Sequence, residues 1–179
     1  MDDISLLRLW LMRLSFALLV MAILFFDLLP LETSPRRWAG PDLVLAFAFA
    51  WALRRPEYTP PLMVAALFLL VDLMLGRPPG LYAALSLLAF NNLAGRALTM
   101  RDMPFPVEWV TVALALAGVI FGHQLLLGLF LVDPPAFALV LSQLAMTVLT
   151  YPLVAAITRY GFGLRPVGLG EINALGQRQ

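Results

Sequence analysis

Cysteine and lysine do not occur in the 179 residues, histidine occurs once, and only 13% of the chain is charged. Without cysteine there is no disulfide framework and no thiolate metal site, and one histidine cannot assemble a histidine-rich site. So small a charged fraction leaves too little polar surface to coat a water-soluble globule. The twelve basic residues are all arginines, scattered along the chain, and the net charge is +1, which gives no reason to expect a nucleic-acid partner. No stretch between apolar runs is long enough to fold as a separate soluble domain. Catalytic signatures are missing too. The sequence has no Gly-x-Ser-x-Gly elbow, no His-Glu-x-x-His, no phosphate-binding loop and no Gly-x-Gly-x-x-Gly, so no catalytic residue, cofactor or metal is expected.

What fills the sequence instead is apolar: 61% hydrophobic residues and a mean hydropathy of +0.88. Such a chain takes lipid as its solvent. Breaking it at charge and Pro/Gly clusters leaves six apolar segments, near 9–29, 42–53, 61–76, 80–97, 107–132 and 136–158. The expected fold is an all-α integral membrane protein, a compact bundle of about six transmembrane helices over residues 1–160, with a short cytoplasmic tail at 161–179. A hydrocarbon core about 30 Å thick needs about twenty helical residues, which the fifth and sixth segments meet and the second and third do not. The second, 42–53, therefore has to be covered by protein or sit where the bilayer is thin. Met1-Asp2-Asp3-Ile4 lacks a basic signal-peptide start, so the first run is expected to be a retained span.

Arginine distribution supplies the orientation. A cytoplasmic N-terminus places Arg8, Arg13, Arg54, Arg55, Arg96, Arg101, Arg159, Arg165 and Arg178 inside and only Arg36, Arg37 and Arg77 outside. Both termini are then cytoplasmic. Trp10, Trp38, Trp51 and Trp109 fall near segment boundaries and read as interfacial anchors.

Polar residues within the apolar segments need a partner or a purpose. Asp72 stands near the outer end of the third segment, either as an interior acid paired with an arginine or as a boundary residue that reaches solvent or caps the next turn. Asn91, Asn92, His123 and Gln124 suit interhelical hydrogen bonds, or else a polar cavity for a small molecule. Gln143, Thr147 and Thr150 share a stripe of the sixth segment, near Ser142, and suit a helix–helix seam. Pro152 cannot donate to the Val148 carbonyl one turn back and is expected to kink its helix.

Three pieces stand out in combination. They are Pro41-Asp42-Leu43 opening the second segment, Trp51-Ala52-Leu53-Arg54-Arg55-Pro56-Glu57 closing it, and the run from Leu70-Val71-Asp72 through Gly76-Arg77-Pro78-Pro79-Gly80 to Leu81-Tyr82-Ala83. Together they resemble the bacterial MreD family of rod shape-determining proteins, with length and segment number similar over nearly the whole chain and only hydropathy in common beyond residue 100. The resemblance implies a fold similar to the six-helix substrate-binding subunits of energy-coupling-factor vitamin transporters. It also implies a non-enzymatic scaffold of the elongasome in the bacterial inner membrane, which supports lateral peptidoglycan synthesis and cell shape. The implied partners are MreC, the glycosyltransferase RodA, a class B penicillin-binding transpeptidase and the actin-like MreB.

On the scaffold reading, Asp72 and Arg77 face a periplasmic partner, Arg54 and Arg55 face a cytoplasmic partner or lipid headgroups, and Ala113, Ala115, Ala117 and Gly118 offer a small-residue surface to partner helices. A second expectation is the substrate-binding subunit of a small-molecule importer, with a polar cavity built from Asn91, Asn92, His123 and Gln143. A third is a lipid-modifying or lipid-moving protein that uses Asp72 with Arg77 on a headgroup.

Overall fold

The computed structural model describes residues 3–29, 38–130 and 135–164, and among these the chain is helical without strands. Arg36 and Arg37, and the residues from Arg165 on, which include Arg178, lie outside the described residues. The helices are α1 (Asp3–Leu28), α2 (Leu43–Arg54), α3 (Pro61–Met74), α4 (Leu81–Gly95), α5 (Ala97–Met100), α6 (Phe105–Leu129) and α7 (Phe137–Tyr160), with a 3-10 turn at Pro56–Tyr58.

Among the described residues three helices are long and apolar enough to cross a membrane: Leu6–Leu28 within α1, then α6 and α7. They mark a membrane protein. Their outer faces carry large exposed apolar side chains, among them Leu7, Leu14, Leu18 and Phe25 on α1, Leu114 and Leu125 on α6, and Leu149 and Leu153 on α7. Exposed apolar surface on this scale suits lipid rather than water.

The remaining long elements are short. At 1.5 Å per residue α2, with 12 residues, is about 18 Å long, and α3, with 14, about 21 Å. The fourth segment, expected to run over 80–97, ends as α4 at Gly95 after 15 residues, about 22 Å. Arg96 breaks the run, and α5 continues it for one turn.

α2 is the centre of the molecule. Every residue from Val44 to Arg54 is buried, against α1, α4, α6 and α7. Its sequence is apolar on every side, and a helix of that kind is stable only when it is enclosed. Protein cover thus accounts for its shortness. Trp51, expected as an interfacial anchor, is instead 0% exposed and packs between Phe16 (ring centroids 5.0 Å apart) and Phe162 (5.3 Å). Trp10 and Trp38 are exposed.

The helices alternate in direction, so polar side chains gather at two ends. One end holds Arg13, Arg54, Glu57 and Glu108; the other holds Asp42, Asp72, Arg77, Tyr82 and His123. Between them the core is apolar, built on Phe16, Val20, Phe49, Val64, Phe68, Phe90, Val112, Leu116 and Val154.

Candidate functional site

The end remote from the N-terminus is built around two aspartates that serve helix N-termini. Asp42 caps α2, accepting the Leu45 N–H at 2.9 Å through Oδ1, and Oδ2 accepts the Tyr82 hydroxyl at 2.6 Å. α4 has no cap of its own, because its N-cap is Gly80, held at φ 89°, a left-handed conformation that glycine alone adopts without strain. Asp72 supplies the missing acceptor from the end of α3: its Oδ2 takes the N–H groups of Gly80 at 3.0 Å and Ala83 at 3.1 Å. A carboxylate so placed also meets the positive end of the α4 dipole.

Asp72 is therefore 0% exposed and committed to the following helix, the capping alternative of the sequence reading without its solvent contact. Among the described residues no ion pair joins it to Arg77. The backbone between them is tight, since the Arg77 N–H donates to the Asp72 carbonyl at 2.9 Å.

Arg77, partly exposed, lies along an aromatic ring. Its guanidinium carbon lies 4.5 Å over the Tyr82 ring, and His123 meets the same ring edge-on with centroids 5.2 Å apart. Tyr82 thus holds three groups in one place: Asp42 by its hydroxyl, Arg77 on its face and His123 beside it.

Two cavities flank this arrangement. One, of about 190 Å³, is lined by Arg77, Tyr82, His123, Gln124 and Gln143 with apolar neighbours. The other, of about 270 Å³, is lined by Asp27, Gly40, Asp42, Leu75, Arg77 and Gln143 among others. Arg77 and Gln143 belong to both walls. Three buried polar atoms of this region have no hydrogen-bond partner: Asp72 Oδ1, Arg77 Nη1 and His123 Nε2.

α7 ties the segment before α2 into place. Ser142 Oγ accepts the Ala39 N–H at 3.0 Å and Thr147 Oγ1 accepts the Asp42 N–H at 2.9 Å. The expected stripe of Gln143, Thr147 and Thr150 is divided: Thr147 serves the seam together with Ser142, whereas Thr150 bonds the Met146 carbonyl of its own helix at 2.7 Å. Gln124 reaches the Pro135 carbonyl at 2.8 Å.

Asn91 and Asn92 are exposed on α4, so they form neither interhelical bonds nor part of a cavity with His123 and Gln143. Asn92 instead borders an open groove with Leu85, Ala89, Ala115, Gly118 and Val119.

The other end corrects a further expectation. Arg54, read as a cytoplasmic contact, is only 6% exposed. Its Nη1 pairs with Glu108 at 2.9 Å and donates to the Ala50 carbonyl at 3.2 Å, while Glu108 also accepts the Tyr151 hydroxyl at 2.7 Å. A buried arginine persists only when its charge is paired in this way. Arg55 is half-buried and pairs with Glu57 at 3.1 Å.

Trp109 also has an interior task. Its Nε1 donates at 2.9 Å to the Val148 carbonyl, the acceptor that Pro152, inside α7, leaves without its helical donor.

Glu108, Tyr151, Tyr82 and the capping role of Asp42 were not singled out from the sequence. For Glu108 the signal existed: an acid opening a 25-residue apolar helix requires a cation, and the arginines form a short roster. Comparison with protein-family models, curated proteins and solved structures finds no match to this chain.

Proposed function

We propose that this protein is a six-span subunit of the bacterial inner membrane that works as a non-enzymatic scaffold in the wall-elongation machinery, as its resemblance to the MreD family implies. Both termini are placed in the cytoplasm by the arginine distribution, and α2, α3 and α4 count as spans shortened by the protein around them. The observation that carries the reading is that two of the three segments of the resemblance, the one opening α2 and the one from Leu70 to Ala83, meet in space. Asp42 opens α2 and receives the hydroxyl of Tyr82 at 2.6 Å, and Asp72 caps the helix that bears Tyr82. One shared architectural unit explains why those residue types occur together.

Two further features support a scaffold. The charged groups Asp42, Asp72, Arg54 and Glu108 are engaged in caps and ion pairs that hold helices together. The long helices leave wide apolar faces and the small-residue groove between α4 and α6, at Ala89, Ala115 and Gly118, for other transmembrane helices. The partners proposed are MreC, RodA, the class B transpeptidase and MreB.

The test is a clean deletion in the native rod-shaped cell together with detergent co-purification. Rounded cells, and recovery of an MreC-like partner with the tagged protein, are the expected results; normal rods refute the proposal. The absence of cysteine makes orientation directly measurable. A single Gly40→Cys should react with an impermeant maleimide in intact spheroplasts, and a single Asp102→Cys only after permeabilisation. The reverse pattern overturns the topology.

A further inference from the structure

We infer that the small cavity beside Tyr82 is an oxyanion site, taking a phosphate group on Arg77 and His123. Arg77 Nη1 and His123 Nε2 are both buried without a partner, both residues line the same cavity of about 190 Å³, and both pack on the same tyrosine ring. A guanidinium has donors only. Leaving one of them dry is costly, and an oxyanion answers that need with charge-assisted hydrogen bonds.

The neighbouring carboxylates do not already fill the role. Asp42 is occupied by the Leu45 N–H and the Tyr82 hydroxyl, and Asp72 gives Oδ2 to the first turn of α4 while its Oδ1 makes no bond to Arg77. Each is partly balanced by the helix N-terminus it caps, so Arg77 keeps its attraction for an added anion. Asp27 lines only the adjoining cavity. Gln143, shared by the two walls, adds an amide donor.

Arg77 is also positioned before any ligand arrives. Gly76 and Gly80 take positive φ angles of 65° and 89° around Arg77-Pro78-Pro79, and the Arg77 N–H is fixed to the Asp72 carbonyl. Prolines limit what that turn can do, so little ordering remains to oppose binding.

Size selects the class of ligand. Pockets for drug-sized molecules run from about 300 Å³ upward, and at about 30 Å³ per water this cavity holds roughly six waters. A phosphate with part of its hydration fits. The phosphate has two sources, a free ion or the headgroup of a membrane lipid. The latter is favoured by the open apolar groove that follows Arg77 in sequence, lined by Pro78, Pro79, Leu81, Leu85, Leu88, Leu126 and Phe130.

The inference is independent of the scaffold proposal, because it is read on the isolated protein. Purified protein in a phosphate-free maltoside buffer is titrated with inorganic phosphate, with phosphatidylglycerol and with diacylglycerol of the same chains, at constant ionic strength. Thermal stability and native mass spectrometry report binding. Saturable binding of inorganic phosphate supports a free-ion site; saturable binding of phosphatidylglycerol without phosphate or diacylglycerol binding supports a headgroup site.

Arg77→Gln should weaken either interaction about tenfold or more, in line with the loss of a charge-assisted bond, and Arg96→Gln at the opposite end should leave it unchanged. Should Arg77→Gln not fold, His123→Phe keeps the ring packing on Tyr82, removes Nε2 and should still weaken binding severalfold. Failure of both phosphate sources to bind, equal binding of diacylglycerol, or wild-type affinity in both variants overturns the assignment.

Discussion

The bond from Trp109 to Val148 makes a quantitative test of how this bundle manages a proline inside a helix. Pro152 has no N–H, so the Val148 carbonyl is orphaned by the sequence of α7 itself, and α6 repairs the deficit with an indole donor at 2.9 Å. Trp109→Phe keeps an aromatic ring and removes the donor. An unsatisfied buried acceptor costs about 1–3 kcal/mol, while interhelical bonds measured in membranes average about 0.6 kcal/mol and reach about 1.7. The expected loss is therefore about 1 kcal/mol, plus a packing term common to any background.

Pro152→Ala restores the N–H of residue 152 and lets α7 satisfy Val148 internally, so Trp109→Phe in that background should lose only the packing term. The difference between the two costs, about 1 kcal/mol, is the coupling energy, because substitution of either partner alone changes everything else equally. Reversible unfolding in mixed micelles, followed by far-ultraviolet circular dichroism so that the lost tryptophan does not alter the signal, gives all four values. A coupling of zero means that Val148 finds its donor elsewhere and the repair does not exist.

Two further substitutions probe the polar ends. Glu108→Gln strands the charge of Arg54 and should destabilise by about 3 kcal/mol, whereas the double variant Arg54→Met with Glu108→Gln should recover most of that, because the desolvated charge has gone with its partner; the same unfolding assay decides, and a double variant as weak as the sum of its singles refutes the ion-pair account. Asp72→Ala removes the acceptor for the first turn of α4 and should cost about 2 kcal/mol, while Asp72→Asn keeps an acceptor oxygen and should cost about half that. Equal losses for the two would place the effect in volume rather than in capping.

Length and hydropathy made the long helices legible, since α6 and α7 have little else in them. α2 was legible as a segment but not as a position: its twelve residues lack a polar face, and that absence already implied enclosure on every side. Enclosure on every side also keeps Trp51 and Arg54 indoors, because both ride on a helix that has no outside. Reading them by their distance from the segment boundary put Trp51 among the anchors and Arg54 among the surface cations. The pairs were illegible for a different reason. Arg54 with Glu108, Asp42 with Tyr82 and Trp109 with Val148 join residues about forty to fifty positions apart, and no local period records which helices become neighbours. Composition shows that a buried charge needs a partner and says nothing about which one.

The same requirement orders the polar residues of the bundle. In an apolar medium each polar atom is a debt against stability unless something bonds it, and most of those found are accounted for: Asp42 and Asp72 by helix N-termini, Arg54 by Glu108, Tyr151 by Glu108, Thr147 by the Asp42 N–H and its own helix. Several unpartnered atoms remain, at Arg13, Trp51, Thr59, Asp72, Arg77, Ser86, His123 and Thr158. Arg77 and His123 share a cavity wall, so one occupant can satisfy both at once. A hydroxyl such as Ser86 can turn to find an acceptor and an exposed edge can find water, but a guanidinium fixed by a proline turn and an imidazole wedged on a tyrosine cannot turn away. At the Tyr82 end two of these atoms, Arg77 Nη1 and His123 Nε2, thus face one cavity together, and an anion can bond both.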